Sequence, residues 1–234
     1  MKVNMNILEI KDVSKSFDGK KIIDGVSFNI ECGKIVGLLG KNGSGKTTVI
    51  KMINDLLTSD SGEILVGGEK IGPATKAKIS YLPERTYIES SSTVKEVFDF
   101  FEDFYKDFNR EKAEKLLGDL DLELDASLSK MSKGMKEKIQ LVLVMSREAE
   151  LYILDEPLGG VDPATRDYIL ETILSNFGEG ASLLITTHLI SDVERILDDV
   201  IFIDKGKIIL NENADTLRER EGASINEIFR RKIK

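Results

Sequence analysis

Short aliphatic and β-branched runs punctuate the chain at Ile7 to Ile10, Val26 to Ile30, Ile35 to Leu39, Ile64 to Val66 and Ile79 to Leu82, and later at Leu151 to Leu154, Leu183 to Thr186, Val200 to Ile203 and Ile208 to Leu210. Runs of this length and composition predict strands. Glycine-rich turns join the first group, which predicts an antiparallel sheet; helix-like stretches separate the later ones, which predicts parallel βαβ units. Between Thr93 and Lys130 the strand signals stop. Val94, Val97, Phe98, Phe101, Phe104, Tyr105 and Phe108 recur there mostly every three or four residues, as on one helix face. Thr93 with Glu96 has capping-box spacing, and so has Ser224 with Glu227, ahead of a basic end at Arg230-Arg231-Lys232-Ile233-Lys234. The pattern predicts an α/β core over 1–85 and 151–211, a helical lobe inserted over 86–150 and a helical tail over 212–234. The aromatic stripe is read first as core packing.

At 234 residues, 41% of them hydrophobic and 32% charged, the chain can bury one large core. Its apolar runs fall far short of the ~18 residues that cross a bilayer as a helix. The start Met1-Lys2-Val3-Asn4 has no leader-like stretch, and the single Cys32 cannot form an internal disulfide, so a reducing cytoplasm is expected. A net charge of -8 disfavours broad binding to nucleic acid, which is not expected as a partner.

Two segments carry chemistry. After Ile35 to Leu39 comes Gly40-Lys41-Asn42-Gly43-Ser44-Gly45-Lys46-Thr47-Thr48, followed by the helix-like Val49 to Leu57. Strand, glycine loop and helix in that order form a phosphate cradle: backbone N–H groups turn inward at the positive end of the helix. Lys46 is then placed to neutralise β- and γ-phosphates and Thr47 to offer its hydroxyl to Mg²⁺. The second segment, Leu151 to Pro157, is a buried-type strand that ends in two acids. Side chains alternate along a strand, so Asp155 is expected in the metal shell and Glu156 as general base toward the attacking water. A strand end turning into solvent also favours acids and proline.

With these residues in view, nearly the whole chain resembles the ABC ATPases. Gly40 to Thr48 is similar to the family's Walker A loop, Leu151 to Glu156 to its Walker B strand with the glutamate, and Leu158-Gly159-Gly160-Val161-Asp162 to its D-loop. His188, the only histidine, follows a strand as the family's switch histidine does. Phe17 matches the aromatic that stacks on adenine, although a core role fits it equally well. Met131-Ser132-Lys133-Gly134-Met135 stands where the signature lies; Ser132 and Gly134 are its phosphate-facing pair, and Ser132 also suits a plain helix cap.

The resemblance implies a P-loop NTPase fold with an antiparallel subdomain and a helical lobe, and ATP with Mg²⁺ as cofactors. It further implies a head-to-tail homodimer or heterodimer with two ATP molecules at its interface, and a separate permease seated in the groove between the lobes. The chain would then lie on the inner face of the membrane and drive transport, in the direction of export. Two departures stand out. Lys133 and Met135 replace a signature glycine and glutamine, and Glu84 takes the position of the glutamine that meets Mg²⁺ in the loop joining the lobes. The only glutamine, Gln140, lies in the helix after the signature. Competing readings are an ATP-gated switch in translation or DNA repair, and an unrelated P-loop kinase or GTPase; the latter has no use for His188 or a signature.

Overall fold

The computed structural model describes residues 6–89, 91–178 and 180–233; the Met1 to Asn4 start and Lys234, both read above, lie outside them. Ten strands run in the order β1 (Asn6–Phe17), β2 (Lys20–Glu31), β3 (Ile35–Leu39), β4 (Ser61–Val66), β5 (Glu69–Lys70), β6 (Ile79–Leu82), β7 (Leu151–Asp155), β8 (Ser182–Thr187), β9 (Asp199–Asp204) and β10 (Lys207–Asn213) among the described residues. The helices are α1 (Lys46–Ile53), α2 (Pro73–Lys78), α3 (Val94–Phe104), α4 (Arg110–Gly118), α5 (Lys133–Met145), α6 (Pro163–Asn176), α7 (Ile190–Val193), α8 (Ala214–Glu221) and α9 (Ile225–Lys232).

Two sheets form. One is antiparallel, in the order β2-β1-β4-β5; the other has the order β10-β9-β3-β8-β7-β6 and is parallel except for the β10–β9 pair. The division differs from the sequence expectation at both ends: β3 and β6, from the first group, belong to the parallel sheet, while β10, from the later group, returns from β9 through the Lys205-Gly206 turn and pairs with it antiparallel. The crossovers explain it. β3 leaves through the glycine loop into α1, and β6 leaves into the helical segment, so neither returns by a tight hairpin.

Strand alternation sorts the core. Val36, Leu38, Leu151, Ile153, Leu184, Ile201 and Ile203 pack with α1 and the antiparallel sheet. Tyr152, Leu154, Leu183, Ile185, Val200 and Phe202 face the other way, into one core with α3, α5 and the tail helices. Burying each such side chain is favourable by about 1.5–3 kcal/mol.

Between β6 and β7 the described residues hold helices and no strand. In α3, Val94, Val97, Phe98 and Phe101 are buried, and the Thr93–Glu96 capping box forms. This helix stops at Phe104, short of the expected Phe108; Phe100 and Phe104 stay 60% and 67% exposed. The Ser224–Glu227 box likewise opens α9. The helix after the glycine loop begins earlier and ends earlier than expected, because Asp55 turns left-handed at φ 53° just beyond Asn54, its C-cap. Among the described residues no helix is long and apolar enough to cross a membrane.

Arg147, just past α5, ties the helical segment to the sheet. Its Nη1 and Nη2 donate to the carbonyls of Ile79 at 2.6 Å and Ala77 at 2.9 Å, and its Nε and Nη2 donate to Asp107 at 3.1 and 2.9 Å. The side chain is 4% exposed, so removing it strands these acceptors. Arg147→Met should lower unfolding stability by about 2–4 kcal/mol, read by urea denaturation; a change below about 0.5 kcal/mol would show the clamp to be unimportant.

Candidate functional site

The parallel sheet aligns three strand ends. Leu39 pairs with Thr187, and Asp155 pairs with Thr186, so the glycine loop after β3 and the acids ending β7 lie at one edge with β8 between them. The loop needs its glycines for two distinct reasons. Gly45 has φ 112°, and a Cβ there would meet Ile23 Cδ1 at 2.5 Å; a Cβ on Gly40 would lie 2.6 Å from the Ile203 carbonyl oxygen. Ser44 Oγ is buried in this cradle without a hydrogen-bond partner among the described residues.

Lys46 opens α1 with its side chain 5% exposed. Its Nζ donates to the Gly40 carbonyl at 2.7 Å and lies 3.1 Å from Glu156 Oε1. The second carboxylate oxygen, Oε2, meets His188 Nδ1 at 2.8 Å. Glu156 has φ 52°, left-handed for a residue with a side chain, a conformation that costs on the order of 1–3 kcal/mol and persists only where neighbours enforce it. Its backbone N–H donates to the carbonyl of Thr186 at 3.1 Å and is 3.0 Å from that residue's Oγ1, which holds the turn.

Asp155 is 1% exposed. Its Oδ1 accepts from Thr186 Oγ1 at 2.6 Å and from Thr47 Oγ1 at 3.4 Å, whereas Oδ2 has no partner among the described residues. Burial pushes its carboxyl above the usual carboxylate range; the Thr186 and Thr47 hydroxyls oppose this, and the charges of Glu156 and Glu84 add to it. An orphaned buried carboxylate oxygen beside a threonine hydroxyl suits a hard divalent cation, which favours oxygen ligands. Among the described residues no three His, Cys, Asp or Glu side chains form a complete metal cluster, so phosphate and water oxygens must supply the rest of such a shell.

A cavity of about 970 Å³ opens over this edge. Asn42, Gly43, Gly45, Lys46, Thr47, Thr48, Glu84, Glu156 and His188 from the sequence-predicted set line it. Gly40, Ser44 and Asp155 are not part of its lining. Phe17, Ser132 and Gly134 are not brought to it: Phe17 is 45% exposed at the end of β1 with Lys15 Nζ 5.6 Å from its ring centre, and Ser132 caps α5 by accepting the Met135 N–H at 3.2 Å. Sequence reasoning missed Thr186, Arg85 and Thr86. The partnership of Thr186 with Asp155 becomes visible only when β7 and β8 are known to be neighbours in register. Chemically, the arrangement can surround a polyphosphate with backbone N–H groups and one ammonium, and present a carboxylate to its end.

Comparison with known proteins points the same way. A family model described as ABC transporter matches residues 23–159. The chain is 33% identical to the ABC transporter ATP-binding protein YtrB of Bacillus subtilis (strain 168), over 91% of this chain and 74% of that one. It is 33% identical to the linearmycin resistance ATP-binding protein LnrL of the same organism, over 95% and 77%, and 31% identical to the Nod factor export ATP-binding protein I of Rhizobium meliloti, over 95% and 69%. A solved structure described as the ATP binding subunit of an ABC transporter superposes with a TM-score of 0.88 at 29% identity, over 97% of this chain and 100% of that one. A bacterial Atm1-family ABC exporter with ATP bound shares the fold, with a TM-score of 0.82 at 19% identity over 100% of this chain and 43% of that one.

The raised proton affinity of Asp155 has a measurable sign. Folding favours the protonated carboxyl, so the stability it contributes is fully present below the ordinary carboxylate pKa and is lost as pH rises through the raised value. Without metal or nucleotide, Asp155→Asn should therefore raise Tm over wild type near neutral pH, with the gap closing toward about pH 4. A gap constant across that range in paired thermal melts contradicts the assignment.

Proposed function

The chain belongs to the ABC transporter family, as an ATP-binding subunit that hydrolyses ATP to drive transport, and we propose that it powers export through a separate permease by closing head to tail on a second ATPase subunit around two ATP molecules. The observation that carries this reading is the Glu156 carboxylate, held between Lys46 and His188 at the mouth of the phosphate cradle. Export is favoured by the relatives named for linearmycin resistance and Nod factor export.

In this reading ATP enters with its β- and γ-phosphates against the N–H groups of Gly43 to Thr48 and the Lys46 ammonium, which exchanges Glu156 for phosphate oxygens. Glu156, released from Lys46, takes a proton from the attacking water, and His188 orients it while donating toward the γ-phosphate. Thr47 and Asp155, with Glu84 at the cavity wall, would hold Mg²⁺, which when bound offsets charge on the phosphates. Phe17 stacks on adenine. Ser132 and Gly134, outside the chain's own cavity, act on the ATP of the facing subunit. The permease docks in a second groove, of about 1050 Å³, lined by Tyr87, Phe100, Phe101, Phe104 and Tyr105 with Lys51, Lys76 and Lys106 among its other lining residues.

Glu156→Gln should keep ATP binding and lower turnover by about 10²-fold or more, since an amide cannot accept the proton. It should also accumulate an ATP-held dimer on size-exclusion chromatography. Near-normal turnover with no added dimer would defeat both the base assignment and the sandwich.

Glu84 tests the metal shell. A carboxylate there adds negative charge that bound Mg²⁺ must offset, so Glu84→Gln should still hydrolyse ATP with a shifted half-maximal Mg²⁺ concentration, and Glu84→Ala should be slower. Superimposable Mg²⁺ titrations for wild type and both variants would remove this residue from the shell.

A further inference from the structure

The glutamine absent from the loop after β6 is not far away. Gln140, the only one in the chain, projects from α5 back to that loop: it is 2% exposed, and its Oε1 accepts the Tyr87 N–H at 2.7 Å. A carboxamide this deep is costly unless it is bonded, and an apolar side chain would fill the same space without that cost. The bond therefore does something that packing alone does not.

The anchored stretch borders three spaces at once. Glu84, Arg85 and Thr86 line the nucleotide cavity; Pro83 and Tyr87 line the aromatic groove, where the Tyr87 ring lies 6.5 Å from that of Phe101. Behind the carboxylates, Pro83, Glu84, Gln140, Asp155 and Glu156 share a space of about 20 Å³, room for about one water. Residues 83–89 belong to no helix or strand, so a side-chain anchor is what sets their path. That anchor sits on α5, the helix Ser132 caps.

We propose that Gln140 is a positioning residue for ATP hydrolysis: by accepting the Tyr87 amide proton it pins residues 83–87 to α5, so that the Glu84 side at the nucleotide and the Tyr87 side at the groove shift together with that helix. The proposal rests on the reading of the cavity as the ATPase site. It gives the lone glutamine a task from a helix, by way of a backbone amide, without contact to the nucleotide.

Gln140→Met keeps length and loses the acceptor; Gln140→Glu keeps an acceptor oxygen. In nucleotide-free protein, hydrogen exchange over residues 83–89 should rise about tenfold or more in Gln140→Met with β7 unchanged, and stay within about threefold of wild type in Gln140→Glu. For ATP hydrolysis, kcat/KM should fall about tenfold in Gln140→Met, and that loss should vanish when the substitution is added to Glu84→Ala, because both then act through one contact. Unchanged exchange in Gln140→Met, or an undiminished further loss in the Glu84→Ala background, overturns the proposal. The exchange arm needs no ATP. A wild-type protein that does not hydrolyse ATP would therefore sink the functional reading while the anchor is judged on exchange alone.

Discussion

Three charged groups are buried together at the carboxyl edge of the parallel sheet, and the site depends on their mutual compensation. Lys46 is 5% exposed, the Glu156 side chain 9% and Asp155 1%. Any one of them alone would be costly to bury; an ammonium 3.1 Å from a carboxylate offsets part of that cost. This is possible only because β3 and β7 end at the same level across β8, as Leu39–Thr187 and Asp155–Thr186 pairing enforces. Slipping one strand by a residue would turn every side chain to the opposite face and separate the charges. The hydrophobic alternation that builds two cores thus also fixes the chemistry.

The compensation is incomplete, and the deficit lies where a ligand is needed. One ammonium stands against two carboxylates, with a third at Glu84 raising the proton affinity of Asp155. Among the described residues Asp155 Oδ2 and Ser44 Oγ are left without partners. A protein closed on itself would satisfy such groups internally, as most buried polar groups are. Here a donor-rich cradle and an acceptor-rich strand end face a common space, which suits an anion chain accompanied by a divalent cation better than either species alone.

Much of this was legible from residue order. The cradle could be read because strand, glycines, lysine and helix are contiguous; nine of the predicted residues meet at one cavity. Sheet membership was harder, since β3 and β6 look like their antiparallel neighbours in composition and differ only in where the chain goes afterward. Helix ends also escaped: the aromatic period continues through Phe108, while the backbone leaves α3 at Tyr105. Thr186, Arg147 and the Tyr87–Gln140 bond could not be read at all. Each acts on a residue distant in sequence, and single polar residues carry no period to announce their partners.

Glu84 shows how far exposure can soften an apparent defect. It is exposed, so its charge acts on Asp155 largely through water, whereas Asp155 itself is buried. At about 4 Å a unit charge pair interacts by about 1 kcal/mol in bulk water and about 4 kcal/mol at the effective dielectric of a protein surface. A carboxylate can therefore stand in this loop without disrupting the buried charges while the cavity is empty. Once a polyphosphate fills the cavity, water is displaced and the lower dielectric strengthens the same charge, both its repulsion of the phosphates and its attraction to a cation. Under the proposed function, a substitution that is nearly silent in the empty cavity thus gains influence as the cavity fills, and metal, nucleotide and loop position would become parts of one equilibrium.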